Sequence, residues 1–149
     1  MVDMENLTLT TYAARCTKPG YKYDTNRFKI RIRNPTGITV SPNAVFISLS
    51  VDQKIITVSR LSDECQVLVD KLANPMYLAI EPITNVLYMS LANGIAAVSL
   101  SDFDNNVDII VEAEGDGFGN FIDTSFRGVR DLLILDQHSI LLSDTDNER

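Results

Sequence analysis

The sequence contains few of the residues that build catalytic or metal centres. Its 149 residues include one histidine, two cysteines and no tryptophan. The one histidine, His138, lies in a polar turn, so a histidine-based metal site or catalytic triad is not expected from this chain alone. Cys16 and Cys65 lack the close spacing of a zinc-binding pair, and they are compatible with one disulfide or with two reduced thiols. We therefore predict neither structural zinc nor a catalytic constellation.

Basic residues and long apolar runs are also scarce. Lysine and arginine together number 13, against 20 acidic residues, which gives a formal net charge of -7. Nucleic acid is not expected as a partner, because an acidic surface repels a phosphate backbone. No apolar run has enough residues to span a membrane, and the run within residues 131–136, for example, has only four apolar residues between its charges. The first residues lack the features of a signal peptide, whereas a glycosylation sequon at Asn6 slightly favours the secretory route, so the compartment stays open.

The most informative feature that is present is an internal repeat. Asn34-Pro-Thr-Gly-Ile-Thr-Val40 recurs 40 residues later as Asn74-Pro-Met-Tyr-Leu-Ala-Ile80, and Gly128-Val-Arg-Asp-Leu-Leu-Ile134 takes the same place in a third copy. A second β-rich run follows each segment, and two more β-rich runs complete the first two copies. These runs are residues 45–49, 54–59, 65–69, 86–91, 94–100, 107–111 and 140–144. Four short strands in about 40 residues are typical of a β-propeller blade, and a β-sandwich is the alternative.

We predict an all-β protein that forms an incomplete β-propeller of about three blades, each a four-stranded antiparallel sheet. Residues 34–73 form blade 1, residues 74–124 form blade 2 with an Asp- and Gly-rich insertion, and residues 125–149 form the inner half of blade 3. Residues 1–33 are predicted to supply two strands, at 7–12 and 27–33, that complete an outer half-blade. The second of these alternates Phe28, Ile30 and Ile32 with basic residues, which is the period of a half-buried strand.

The repeat resembles the NHL-repeat β-propellers and, less closely, the YWTD propellers. The resemblance depends on Pro-x-Gly-Ile-x-Val from Pro35, on the Gly-rich residues 115–126 and on Ser143-Asp-Thr-Asp-Asn-Glu-Arg149. It implies a partner site on one rim, formed by loops before the innermost strands and between the second and third strands. Aromatic and arginine side chains dominate interface hot spots. The predicted partner-binding residues are Tyr77 and Arg130 as anchors, together with Asn34, Asn74 and Arg127.

One acidic stretch has the opening pattern of a calcium loop. Asp102, Asp104, Asn106 and Asp108 place oxygen ligands at alternate positions. Val107 replaces the turn glycine and Ala113 replaces the closing glutamate, so a solvated turn is favoured and no cofactor is predicted.

The predicted function is a non-catalytic protein-interaction or scaffold module. Its partner is another protein, further blades of the same protein, or a second copy that closes the propeller as a homodimer, because exposed strand edges demand a neighbour. The alternative is part of a propeller enzyme, a lyase or hydrolase, whose metal and catalytic residues lie outside this chain.

Overall fold

The structure, a computed structural model, describes residues 2–3, 5, 8–9, 11–14, 22–101, 107–112, 126 and 128–147. In these ranges the regular structure is almost entirely β-strand, and the single helical element is a three-residue 3-10 turn, Thr145–Asn147. The part of the chain that is described has no helix that is long and apolar enough to cross a membrane. The prediction of an all-β protein is confirmed.

The strands form one short hairpin and three larger antiparallel sheets. The short hairpin pairs β1 (Val2–Asp3) with β2 (Thr8–Leu9). Sheet 1 comprises β3 (Pro35–Val40), β4 (Ala44–Leu49), β5 (Lys54–Ser59) and β6 (Cys65–Asp70). Sheet 2 comprises β7 (Leu78–Glu81), β8 (Val86–Leu91), β9 (Gly94–Ser99) and β10 (Val107–Glu112). Sheet 3 is the hairpin of β11 (Val129–Asp136) and β12 (Ser139–Asp144).

In each large sheet, every strand pairs with the next one along the chain. Short polar turns make this possible, and several contain a residue in the left-handed region, such as Gln53 before β5 and Asn85 before β8. The turn between β7 and β8 is closed by Glu81, whose carboxylate accepts hydrogen bonds from the amides of Ile83 and Thr84. The predicted pair of four-stranded antiparallel sheets is confirmed.

The three large sheets stack face to face in chain order. Because successive side chains of a strand point to opposite faces, a sheet with apolar residues on both faces can be covered on both sides. One face of sheet 2 presents Leu87 and Met89 to Phe46 of sheet 1, and the other presents Ile95 to Val129 of sheet 3. Strand β7 contacts both β3 and β11, so the innermost strands lie side by side. This is an incomplete, propeller-like all-β fold, and it differs from a two-sheet sandwich because the middle sheet is covered twice.

The seam between sheets 1 and 2 is a close approach of two backbones. The segment that leads into β7 crosses β3 so closely that a Cβ atom on Gly37 would lie 2.3 Å from the Met76 carbonyl oxygen. The Ser48 hydroxyl, which is fully buried, donates to the same carbonyl, and the Thr36 hydroxyl donates to the Pro75 carbonyl over 3.2 Å. The seam therefore requires glycine at position 37.

The predicted strand at residues 27–33 is not formed, and the chain there makes a turn followed by a single bridge between Lys22 and Arg31. The side chain of Asp24 accepts from the Asn26 amide over 2.9 Å, and the side chain of Asn26 accepts from the Phe28 amide over 3.0 Å. Such local bonds compete with strand pairing. The apolar alternation contributes one core residue, Ile30, which is fully buried against sheet 1.

The other predicted outer strand is also shorter than expected. Within residues 7–12 the strand is β2, and its partner is β1 rather than the segment at 27–33. The described residues before β3 therefore form no outer half-blade.

Residues 11–14 and 22–33 instead form an arm that packs on sheet 1. The guanidinium of Arg27 lies 4.8 Å from the ring centroids of both Tyr12 and Phe28, and it pairs with Asp63 at 3.0 Å. The Cys65 amide at the start of β6 donates to the Thr25 carbonyl over 2.6 Å. The arm thus covers part of an edge strand that would otherwise present unpaired backbone groups.

Candidate functional site

The loops that lead into the innermost strands lie at one edge of the stacked sheets, which we call the rim. In sheet 1, Pro35 at the start of β3 pairs with Leu49 at the end of β4, so residues 34–36 lie beside the turn at 50–53. In sheet 2, the Ser90 amide donates to the Tyr77 carbonyl over 3.0 Å, which brings residues 74–77 beside the turn at 92–93. The amide of Gly128 donates to the Ala92 carbonyl over 2.7 Å. The predicted partner loops in the described residues therefore form one surface.

The repeat has a backbone signature at the rim. Asn34 and Asn74 both have φ of 45°, and Gly128 at the same repeat position has φ of 68°. Asparagine and glycine enter this left-handed region more readily than other residues, which explains why these residue types begin the three segments. The structure thus gives Asn34 and Asn74 a local role in turning the chain, and their role in binding stays a prediction.

The two predicted anchors, Tyr77 and Arg130, are both exposed. Tyr77 is 37% exposed, and its backbone is held by hydrogen bonds to Ser90, a fully buried residue of β8. Arg130 follows the fully buried Val129 at the start of β11, so its backbone is fixed while its side chain reaches solvent. Arg127 lies outside the described residues. Rigid backbones with exposed aromatic and arginine side chains suit a binding surface.

Asp52 lies in the loop at residues 51–54, which the sequence places at the rim, but sequence reasoning did not single it out. Its side chain is 7% exposed, and one oxygen accepts from the Arg33 guanidinium over 2.6 Å. Its other oxygen, Oδ2, is buried without a hydrogen-bond partner in the described part of the chain. The acidic residue within the turn before β5 was the only signal available, and a single aspartate in a turn is too common to indicate a site.

Charges at the ends of β5 and β6 are neutralised by pairing. The Lys54 ammonium group forms an ion pair with Asp70, and this hydrogen bond is the main cause that lowers the pKa of the Asp70 carboxyl. The amide of Lys71 also donates to that carboxylate over 2.8 Å. The charges of Lys54 and Asp70 are therefore paired with each other.

Two sheet faces at the ends of the stack expose large apolar side chains, and we call them the end faces. On sheet 1, Ile38 and Val40 are 70% and 56% exposed, and the buried residues that pack with the arm belong to β4, β5 and β6. On sheet 3, the exposed fractions are 57% for Leu133, 60% for Leu135 and 57% for Leu141. Clustered apolar exposure of this kind marks interaction surfaces.

The remaining candidates are the four residues of the predicted calcium loop, and the structure describes only one of them, Asp108. Asp108 lies exposed in β10 opposite Ala97, while Asp102, Asp104 and Asn106 lie outside those residues. No group of three or more potential metal ligands occurs among the residues described, and the calcium hypothesis stays untested.

Cys65 is a free, buried thiol, and burial, together with the nearby charge of Asp24, raises its pKa to about 11. A thiol with such a pKa is protonated and unreactive at neutral pH. This argues against Cys65 as a nucleophile.

In comparisons with known proteins, no family model matches the chain and no curated protein is significantly similar to it in sequence.

Proposed function

We propose that the chain is a non-catalytic protein-interaction or scaffold module built from NHL-like propeller blades. The observation that carries this proposal is the exposure of apolar side chains on both end faces. Regular strands place Ile38 and Val40, and likewise Leu133 and Leu141, on one side of their sheets, where sheet 2 shows that a neighbouring sheet can pack. Burying such a side chain is worth about 1.5–3 kcal/mol. The end faces are therefore surfaces for further blades or for a second copy of the chain.

The rim supplies the second part of the proposal. Tyr77 and Arg130 combine exposed side chains with backbones fixed by buried neighbours, which limits the entropy lost when they are ordered by a partner. The resemblance of the Pro-x-Gly-Ile-x-Val segment from Pro35 to NHL-repeat propellers also supports a partner site at the rim. The rim binds a protein partner, and the end faces complete the assembly.

The test is the mass of the chain in solution, measured by light scattering at micromolar concentration. The proposal expects a species heavier than the 16.6 kDa monomer. Leu133→Glu, on an end face, is expected to return the protein to the monomer, because a charge cannot be buried there without a partner. Leu61→Glu is the control, since Leu61 is 80% exposed in the turn between β5 and β6 and is not one of the apolar residues of either end face. A wild-type chain that remains monomeric would overturn the proposal.

A further inference from the structure

The internal repeat relates the end face of sheet 3 to a surface that is covered inside the chain. Leu141 of β12 takes the position of Phe46 in β4, because each lies two residues before a serine that pairs with the third residue of the innermost strand. Phe46 is buried against sheet 2, whereas Leu141 is 57% exposed. The end face of sheet 3 thus corresponds to the side of sheet 1 that the next sheet covers.

The end face of sheet 1 is the opposite side of the repeat. Ile38 and Val40 take the positions that Leu78 and Ile80 occupy 40 residues later. Leu78 is buried in the apolar layer between sheets 1 and 2, and Ile80 packs against that layer. The end face of sheet 1 therefore corresponds to the side of sheet 2 that packs onto the sheet before it.

A groove on the end face of sheet 3 lies where a following sheet would enter. Its volume is about 250 Å³, and Asp131, Leu141 and Ser143 contribute to its lining. At the same place on sheet 1, the Ser48 hydroxyl donates to the carbonyl of Met76, in the segment that leads into β7. The groove on sheet 3 is thus open where its counterpart on sheet 1 holds the next sheet.

The end face of sheet 1 carries the segment that matches this groove. The residue that corresponds to Met76 in the first copy of the repeat is Thr36, which is exposed and borders a groove of about 330 Å³ on that face. In the seam, a Cβ atom on Gly37 would meet the backbone of residues 76–77. By the same correspondence, the side chain of Asp131 would meet Thr36 and Gly37 of a second copy, and Gly37 has no side chain to compete for that space.

The contact between sheets 2 and 3 shows that a side chain at this position is compatible with stacking. Tyr77 occupies the Gly37 position of sheet 2. Ile95 of the same sheet is nevertheless buried against Val129 of sheet 3. A contact between two copies can therefore follow the same arrangement, with Asp131 in the place of Tyr77.

We propose that the end face of sheet 3 binds the end face of sheet 1 of a second copy of the chain, so that the stack of sheets continues in the same direction. Thr36 of the second copy enters the groove, and its carbonyl accepts a hydrogen bond from the Ser143 hydroxyl. The inference rests on the proposed function, in which the end faces associate, and it adds which face binds which. Because the two faces differ, the contact is heterologous, and pairing of like faces is not expected.

Two variants, each altered on one face, test this direction. Leu133→Glu prevents association through sheet 3 and Ile38→Glu through sheet 1, because either change would bury a charge without a partner. By light scattering at micromolar concentration, each variant alone is expected to have the mass of one chain, 16.6 kDa. Their equimolar mixture is expected to form a species of about twice that mass, because Ile38→Glu keeps an intact sheet 3 and Leu133→Glu an intact sheet 1. With one variant isotopically labelled, native mass spectrometry should find one copy of each in the complex.

Further variants keep the result independent of the folding of any one protein. Leu141→Glu and Val40→Glu form a second pair on the same two faces, and they are expected to complement each other in the same way. Leu61→Glu is expected to associate like the wild type. All variants must keep the wild-type circular dichroism spectrum.

The outcomes separate this inference from the proposed function. A wild-type chain that is heavier than the monomer, together with a mixture that keeps the mass of one chain, overturns the inference and leaves the proposed function standing. A singly altered variant that still forms a homodimer pairs like faces, and it also overturns the inference. A wild-type chain that remains monomeric overturns both.

Discussion

The close approach at Gly37 leads to a sharp prediction about stability. In Gly37→Ala, the new Cβ would lie 2.3 Å from the Met76 carbonyl oxygen and 2.9 Å from the Tyr77 Cα, so backbone rather than a flexible side chain must move. Overpacking costs about 1–3 kcal/mol. Moving the segment also strains the hydrogen bonds of Thr36 and Ser48, each worth about 0.5–1.5 kcal/mol. We expect a loss of about 2–6 kcal/mol from a total that is normally about 5–15 kcal/mol.

Urea unfolding followed by far-ultraviolet circular dichroism measures this loss. Thr36→Val is the matched control, because it removes a seam hydroxyl without adding bulk and should cost about 1 kcal/mol. Ser48→Ala in the Gly37→Ala background should not restore stability, since the carbonyl of Met76 remains in the way. If the free energy of unfolding of Gly37→Ala lies within about 0.5 kcal/mol of the wild-type value, the seam is not the close backbone contact described above.

Three further predictions concern the rim, the buried thiol and a turn. Asn74→Val should lower stability by about 1–2 kcal/mol in thermal unfolding, because a β-branched residue resists φ of 45°, whereas Asn74→Gly should be nearly neutral; equal losses would contradict this reason. The pKa of Cys65, about 11 in the fold against an ordinary 9.0, means that only the unfolded thiol ionises between these values. Stability should therefore fall by an amount on the order of 2 kcal/mol from pH 9 to 11, and Cys65→Ala should lack that component in chemical denaturation across this range. Hydrogen bonds from the hydroxyl and amide of Thr84 lower the pKa of Glu81 below 4.5, so its stabilisation is present above that pH and lost as pH falls through the folded value. In Glu81→Gln, the free energy of unfolding should fall less steeply as the pH is lowered below 4.5, and an unchanged pH dependence would refute this role of Glu81.

Sequence reasoning located the strands of the repeat well, because their signal is local. The runs at residues 54–59 and 86–91 coincide with β5 and β8, because short segments rich in β-forming residues and bounded by polar turns favour strands over helices. The same local logic explains Asn34, Asn74 and Gly128, which share one repeat position and one backbone conformation. Tyr77 and Arg130 were also expected to be exposed at the rim, and they are.

The arm shows where a local pattern misleads. Alternation at residues 27–33 predicts a strand, but Asp24 and Asn26 satisfy the nearby amides with their own side chains. A period-two pattern reports which residues are apolar, and it does not report whether a partner strand is within reach.

The sequence by itself determined the number and order of the strands in the repeat and the residue types that begin its innermost strands, because turn preferences and side-chain alternation act over a few residues. Only the tertiary structure decided that Gly37 faces the Met76 carbonyl, that Asp52 is buried beside Arg33, and that Ile95 packs against Val129 of the next sheet. Each of these depends on how one sheet packs on the next. That packing is set by contacts between residues distant in the chain, which no short window of sequence contains.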